Sequence, residues 1–332
     1  MKKTLLFLVM AVLVFMALSS CSKNDSPTTP EATATPNATA TAEAQQTAVA
    51  ELSYNSLVSV PGGTFTQTDG NESFSHTISS FKMGQYEVTY ELWYAVYQWA
   101  ISNGYTFANA GQEGNDGTIG AEPTGAKYEP VTYINWRDAI VWCNAYSEMT
   151  GLSPVYCSDS GFTTPIKDST DGSYGSSINT TEGSFDNPYV NWGANGYRLP
   201  TEGEWQYAAS YIGTPYNYAS GDTAPYDTSV TIGNYCWYST NSGNVTHNVG
   251  GKTANALGIY DMSGNVWEWC WDWSAVYPVT ATDYRGPDSG SNRMIRGGSY
   301  IDSALGLQVG GRYSSLPYYE DLNIGFRFAR TN

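Results

Sequence analysis

The feature that most constrains this chain is an abrupt change of composition at Leu52. From Ser22 to about Ala50 the residues are almost entirely Thr, Ala, Pro, Ser, Asn and Glu, with no aromatic side chain, whereas Leu52 to Asn332 is rich in Tyr, Trp and Gly. The first stretch cannot bury enough apolar surface to offset the entropy of ordering, and it reads as a disordered stalk. A core must therefore come from the remaining residues, about 280, which suits one large domain. No second linker and no internal repeat divides them.

Ahead of the stalk, Lys2 and Lys3 precede an apolar run from Leu5 to Leu18 that is too short to span a bilayer comfortably. Residues 1–20 read as a signal peptide. Leu18-Ser-Ser-Cys21 resembles the bacterial lipobox, which implies that Cys21 is acylated. Several acyl chains on one residue give the stable anchoring that a single chain cannot supply. Ser22, rather than Asp, fits sorting to the outer membrane under the usual proteobacterial rule. The expectation is a lipid-anchored, surface-exposed domain at residues 51–332, with the stalk at 21–50.

Fifteen Lys and Arg against 31 Asp and Glu give a net charge of −16, which becomes −18 once the two leader lysines are removed. The cations are scattered, so the phosphates of a nucleic acid would find no segregated basic patch. The charge suits solubility, and it is compatible with an acidic cleft for cationic ligands. Beyond Cys21 there are four cysteines, Cys143, Cys157, Cys236 and Cys270, with no C-x-x-C pair. A structural zinc site is weakly supported, three disulfide connectivities stay open, and burial as small apolar groups is favoured.

Three helices are predicted. The first covers about Tyr90 to Ile101, with Thr89 as N-cap; the second covers Trp136 to Met149, with Ala139, Ile140, Cys143 and Tyr146 on one face. The third opens at Thr201, whose spacing to Glu204 is that of a capping box. Strands are predicted at Gly258–Met262, Asn265–Trp273, Arg293–Tyr300, Gln308–Arg312 and Gly325–Ala329. Long polar loops, 103–127 and 157–196, connect the helices. This reads as an α+β domain with a small, mostly antiparallel sheet near the C-terminus, few helices and long loops.

Arg198-Leu-Pro-Thr-Glu-Gly-Glu-Trp, Gly258-Ile-Tyr-Asp-Met-Ser-Gly-Asn-Val-Trp-Glu-Trp, Arg296-Gly-Gly-Ser-Tyr and Gly325-Phe-Arg-Phe-Ala resemble the blocks of the formylglycine-generating-enzyme (sulfatase-modifying factor) domain. Pro61-Gly-Gly-Thr-Phe and Tyr86-Glu-Val-Thr resemble its opening strands. The resemblance covers about Leu57 to Ala329 and implies an elaborated C-type lectin fold. Catalytic members hold copper through two cysteines after the Arg-Gly-Gly-Ser block, at positions that are Asp302 and Leu307 here, and neither supplies a thiolate. Related iron enzymes need three histidines, and this chain has only His76 and His247, read here as surface or loop residues. No enzymatic activity is expected and no cofactor is assigned. A structural calcium near Asn265 and Glu268 is weighed against a turn in which both bond to backbone, and the metal is left open.

The segment Tyr300–Asn323 differs from the scaffold around it. It resembles the variable region of diversity-generating-retroelement lipoproteins, in which error-prone copying at adenines rewrites Asn codons to many residues and a lectin-type fold displays them. Such a codon cannot become Gln or Glu, so Gln308 and Glu320 are assigned to the framework. The resemblance implies displayed, ligand-binding positions at Ile301, Asp302, Ser303, Leu305, Gly306, Gly311, Tyr313, Ser314, Ser315, Leu316, Tyr318, Tyr319, Asp321 and Leu322. Ala304, Val309, Arg312 and Pro317 are read as the fixed frame. Ser274, Ala275 and Val276 form a second, shorter group, extending the variable region to about 274–323. Tyr gives contact area at low entropy cost while Ser and Gly adapt around it. The function read from this is a surface receptor or adhesin for an unidentified protein or glycan of a host or neighbouring cell. A formylglycine-generating-enzyme-like oxidase and an envelope-assembly protein are the alternatives.

Overall fold

The computed structural model describes residues 52–170, 177–210, 219 and 232–332; the leader, Cys21 and the stalk lie outside the described residues. In chain order the strands are β1 (Leu57–Val60), β2 (Gly63–Thr68), β3 (Ser73–Ile78), β4 (Phe81–Gly84), β5 (Gln112–Glu113), β6 (Val131–Thr132) and β7 (Tyr156–Cys157). They continue with β8 (Tyr189–Val190), β9 (Trp267–Trp273), β10 (Thr280–Thr282), β11 (Arg293–Arg296), β12 (Tyr313–Ser315), β13 (Ile324–Gly325) and β14 (Ala329–Thr331). Three helices, α1 (Tyr90–Ser102), α2 (Trp136–Met149) and α3 (Glu202–Ala209), complete an α+β domain.

The helices start where local chemistry satisfies their free N–H groups. The Thr89 side chain accepts from the Leu92 N–H, and Asn135–Asp138 and Thr201–Glu204 both close reciprocal capping boxes. Only one face of α1 is buried, whereas α2 buries all of its residues except Glu148 and α3 buries all of its own. The capped turns therefore enter the interior rather than the surface.

β14 pairs antiparallel with β4, which also pairs with β1, so the end of the domain closes on its beginning. β2 and β3 form a hairpin that β10 joins in parallel. The sheet that positions the candidate site has the order β12-β11-β9-β13, antiparallel except where β13 runs parallel to β9. β9 is buried throughout and β11 likewise.

Several predicted strands are turns, for reasons local to the backbone. Gly258–Met262 is not a strand: Gly258 and Asp261 take φ of 82° and 56°, and the Asn255 side chain ties up the Leu257 and Ile259 N–H groups. β11 ends at Arg296 because Gly297 and Gly298 turn the chain at φ of 100° and 77°, and a Cβ on Gly298 would meet Leu307 Cδ2 at 2.5 Å. Gln308–Arg312 cannot form a ladder because Arg296 takes the carbonyls of residues 309–311. Gly325–Ala329 splits into β13 and the start of β14, and Tyr86–Thr89 carries only an isolated bridge at Thr89.

The main core is aromatic. Trp93 and Trp142 stack at 6.0 Å and Phe326 meets both edge-on. A buried aromatic removes about 150–250 Å² from water, an upper-limit gain of roughly 4–6 kcal/mol each at about 25 cal/mol per Å². Two buried arginines in this core are held in different ways. Arg327 and Glu268, both fully buried, make two hydrogen bonds of 2.6 Å. Arg293 has no carboxylate in contact; it lies 3.6 to 4.7 Å from the Trp136, Trp271 and Trp273 ring centroids and donates to the Trp271 and Asp186 carbonyls. Burial pushes its guanidinium well below the ordinary arginine pKa. Cys143, Cys157, Cys236 and Cys270 are all free and buried. Among the described residues no helix is long and apolar enough to cross a membrane.

Candidate ligand-binding face

β12 is one edge strand of the four-stranded sheet, and the chain on either side of it forms the candidate face. Ile301, Ser303, Leu305, Tyr313, Tyr319 and Leu322 are exposed, and the remaining eight of the fourteen candidate positions are partly exposed. Of the positions assigned to the frame, Ala304, Val309 and Pro317 are buried, whereas Gln308, Arg312 and Glu320 are partly exposed; Leu307 is completely buried. The segment alternates irregularly because it is built from a short 3-10 turn, 304–307, followed by turns rather than from a continuous strand.

What holds it comes from below. Ser239 N–H donates to Asp302 O, Ser242 Oγ to Tyr300 O and Ser263 Oγ to Leu307 O. Arg296 gathers three successive carbonyls, and Arg312 makes a paired contact with Glu202 while donating to Ala275 O. The last bond ties the 274–276 loop to the segment, and both Ser274 and Val276 are exposed. Glu202 was not singled out from the sequence, and Arg296 was read only as part of a block. No local signal pointed to either role, since Arg296 reaches 13 to 15 residues along the chain and Arg312 meets Glu202 across 110.

Seven of the ten exposed large apolar side chains among the described residues fall in this region: Val276, Val279, Ile301, Leu305, Tyr313, Tyr319 and Leu322. Val279, 94 % exposed, was not among the sequence candidates. Three tyrosines have defined seats. Tyr313 packs on Trp267 at 4.9 Å, Tyr318 lies 5.5 Å from the Arg137 guanidinium, and the Tyr319 hydroxyl donates to Asp321 at 2.6 Å.

The positions that carry copper cysteines in the enzymes are filled for another purpose. Asp302 accepts from the Ser299 N–H and hydroxyl, and Leu307 packs with Ile232, Cys236 and Ala304. Burial raises the Cys236 thiol to about 12, so it is a poor source of thiolate at neutral pH. Asn265 and Glu268 serve the scaffold. Asn265 donates to Glu87 and its oxygen accepts from the His247 N–H, while Glu268 takes Arg327 and the Trp205 indole. The Asn265 side chain thus bonds mainly to backbone, accepting from the His247 N–H and donating to the His247 carbonyl, whereas the Glu268 partners are side chains; among the described residues no group of three His, Cys, Asp or Glu is placed to hold a metal ion.

The reading of both histidines as surface or loop residues is corrected for His76. It sits in β3 and is completely buried, with Nδ1 donating to Gln67 Oε1 at 2.7 Å and Nε2 accepting from the Tyr284 N–H at 2.9 Å. That pattern requires the neutral ring, and burial lowers its pKa to about 4. His247 is half-buried and stacked on Trp237 at 3.7 Å.

The sequence profile of the Sulfatase-modifying factor enzyme 1-like domain matches residues 41–332. Among curated proteins, the chain is 31% identical over 323 residues to the "Chaperone protein LppX" of Paenibacillus barcinonensis, covering 93% of this chain and 92% of that protein. It is 37% identical over 153 residues to the formylglycine-generating enzyme of Streptomyces coelicolor, covering 42% of this chain and 48% of the enzyme, about half its length. Among solved structures, Treponema denticola variable protein 1 superposes with a TM-score of 0.66 at 32% identity, over 83% of this chain and 95% of that one.

Proposed function

Because the chain belongs to the sulfatase-modifying factor enzyme 1-like family and has its C-type lectin fold, we propose that it is a lipid-anchored surface receptor. Its Tyr300–Asn323 face, extended by residues 274–276, binds a protein of a host or neighbouring cell. The observation that carries this reading is the solvent exposure of the candidate positions over a buried apolar base. All fourteen candidate positions reach solvent, while Ala304, Leu307, Val309 and Pro317 lie beneath them. Side chains on top can change without disturbing the frame. The cluster of exposed Val, Ile, Leu and Tyr favours a protein surface, since contiguous apolar exposure marks such contacts.

The absence of thiolate-forming residues at 302 and 307 supports binding rather than copper-dependent oxidation. The similarity to Treponema denticola variable protein 1 over most of both chains supports the same reading. Anchoring follows from Cys21 and the stalk, which would hold the domain at the outer membrane and away from its surface.

Sequencing the locus in sibling isolates tests the proposal. Differences concentrated at the fourteen positions, with a near-identical template repeat nearby, are the expected result. An invariant segment overturns it.

The full-length similarity to the Paenibacillus chaperone favours a second reading, in which the same face holds an unfolded or partly folded exported client. In that case the segment is invariant, and deleting the gene lowers the level of an exported protein.

A further inference from the structure

A cleft of about 320 Å³ opens between β8 and the chain that links β10 to β11, and none of the residues lining it is a display position. Small-molecule sites run from about 300 to 1,000 Å³, so this one suits a compact ligand. Both walls are fixed in advance. Asp186 is buried against Arg137 of α2 and accepts the Asn179 N–H. Ser184 Oγ donates to the Asn179 carbonyl and Asn187 Nδ2 to the Thr180 carbonyl, so the 179–187 loop reaches Tyr189 already tied to itself and to the helix. On the other side Gly286 turns at φ 77° close against β9, where a Cβ would lie 3.1 Å from the Trp273 nitrogen.

The lining combines aromatic rings with hydrogen-bonding groups. Trp271 and Trp273 of β9 are buried, Tyr189 and Trp192 are partly exposed, and Trp192 meets Trp271 edge-on at 5.7 Å. Around these rings Glu182 and Asp288 supply carboxylates, Asn187 an amide and Arg285 a guanidinium. Most of that capacity is uncommitted. Asp288 and Arg285 are exposed and make no hydrogen bond among the described residues, and the Glu182 carboxylate takes only the Tyr189 hydroxyl, at 3.2 Å.

Charge narrows the choice of ligand. The Arg285 guanidinium already lies 4.0 Å from the Trp192 ring centroid and is attracted by Asp283, Glu204 and Asp272. It therefore has little surplus positive charge for an anion, and it fills the place over Trp192 that a ligand cation would take. What the cleft offers is apolar ring surface beside separate acceptors and donors: carboxylates only accept, a guanidinium only donates, and an amide does both. A neutral sugar matches that set, with C–H groups on one face of its ring and hydroxyls, each donor and acceptor, around the edge.

We propose that this cleft is a fixed site for a neutral hexose unit of a glycan, with the C–H face of the sugar against Tyr189 and Trp192 and its hydroxyls shared among Glu182, Asn187, Arg285 and Asp288. The volume, that of roughly ten waters at about 30 Å³ each, holds one such ring and a substituent. Because the site shares no residue with the display positions, changes at those positions leave it intact.

Isothermal titration of the full chain in a polyoxyethylene detergent, which carries no sugar, tests this with methyl β-D-glucoside, methyl β-D-galactoside and N-acetyl-D-glucosamine. The expected result is saturable binding of at least one of them, with a Kd of about 1 mM or tighter. Asp288→Ala and Arg285→Met, at exposed positions without hydrogen bonds, should each weaken that sugar about tenfold at unchanged Tm, the loss expected for one hydrogen bond to a charged group. Tyr189→Leu, which keeps bulk but removes the ring face, should weaken it as well. Tyr313→Ala should leave the affinity unchanged, which separates this site from the display face. No saturable binding by any of the three sugars, or undiminished binding by both the Asp288→Ala and Arg285→Met variants, overturns the proposal. So does tighter binding of D-glucuronate than of every neutral sugar, which would mark an anion site, or of tetramethylammonium chloride, which would mark an aromatic cage for a cation.

Discussion

Arg312 grips Glu202 with two hydrogen bonds, Nε to Oε1 at 2.5 Å and Nη2 to Oε2 at 2.8 Å. The pair joins the candidate binding segment to the first turn of α3, and the Glu202 side chain is only 3 % exposed. Removing one partner strands the other charge in a site of low dielectric. Arg312→Ala should lose about 3 kcal/mol of stability in urea unfolding, the low end for a broken buried pair, because Arg296 remains 3.8 Å from the same carboxylate. A loss under ~0.5 kcal/mol would mean that the segment is held mainly by the carbonyl clamp of Arg296.

The sorting of exposure predicts a sharp contrast between neighbours in sequence. Leu307→Ala should cost about 2–5 kcal/mol, since it removes a fully buried side chain from a small cluster. Ile301→Ala, Ser303→Ala and Leu322→Ala should each change stability by less than about 0.5 kcal/mol. Urea midpoints at constant m-value measure both. Equal costs at both kinds of position would remove the distinction between frame and display.

Asp272 accepts the Glu202 N–H and is buried close to that carboxylate, and burial first, then Glu202, raises its pKa to about 8. The fold therefore favours the protonated acid. Its contribution is present below the ordinary value near 4 and is lost as pH rises through about 8. Asp272→Asn keeps a neutral group in place, so its Tm should fall less than that of the parent between pH 5.5 and pH 9. The same fall in both proteins would refute the assignment.

His76 contributes with the opposite sign. Its pKa is lowered from 6.5 to about 4, so its stabilising effect is complete above about 6.5 and is lost as pH falls toward 4. The imidazole nitrogen shifts should report a neutral ring at pH 5.5, with the proton on Nδ1, as its bonds to Gln67 and the Tyr284 N–H require. A charged ring at that pH would contradict the arrangement.

The four cysteines of the domain are buried, and burial raises the thiols of all four. The folded protein should show no reaction of these four with a thiol-specific disulfide reagent at pH 8 over minutes, and all four should react once it is unfolded in guanidinium chloride. Fast labelling of any of them in the native state would show that the thiol reaches solvent.

The sequence by itself determined the three helices, because their caps and apolar spacing are local. Thr89, Asn135 and Thr201 each bond within three residues of themselves, so a short window contains the whole signal. It also determined the family, whose blocks are contiguous words such as Arg198–Trp205. The tertiary structure decided where the late strands run, since Arg296 reaching 13 to 15 residues along the chain turns Val309–Gly311 into a clamp instead of a ladder. It decided that His76 is buried, through a bond from Tyr284 that is 208 residues away. It also brought both Arg198 and Arg285 against the Trp192 ring. Hydrogen bonds and charges separated by such distances leave no periodic trace, and only the folded chain sets them side by side.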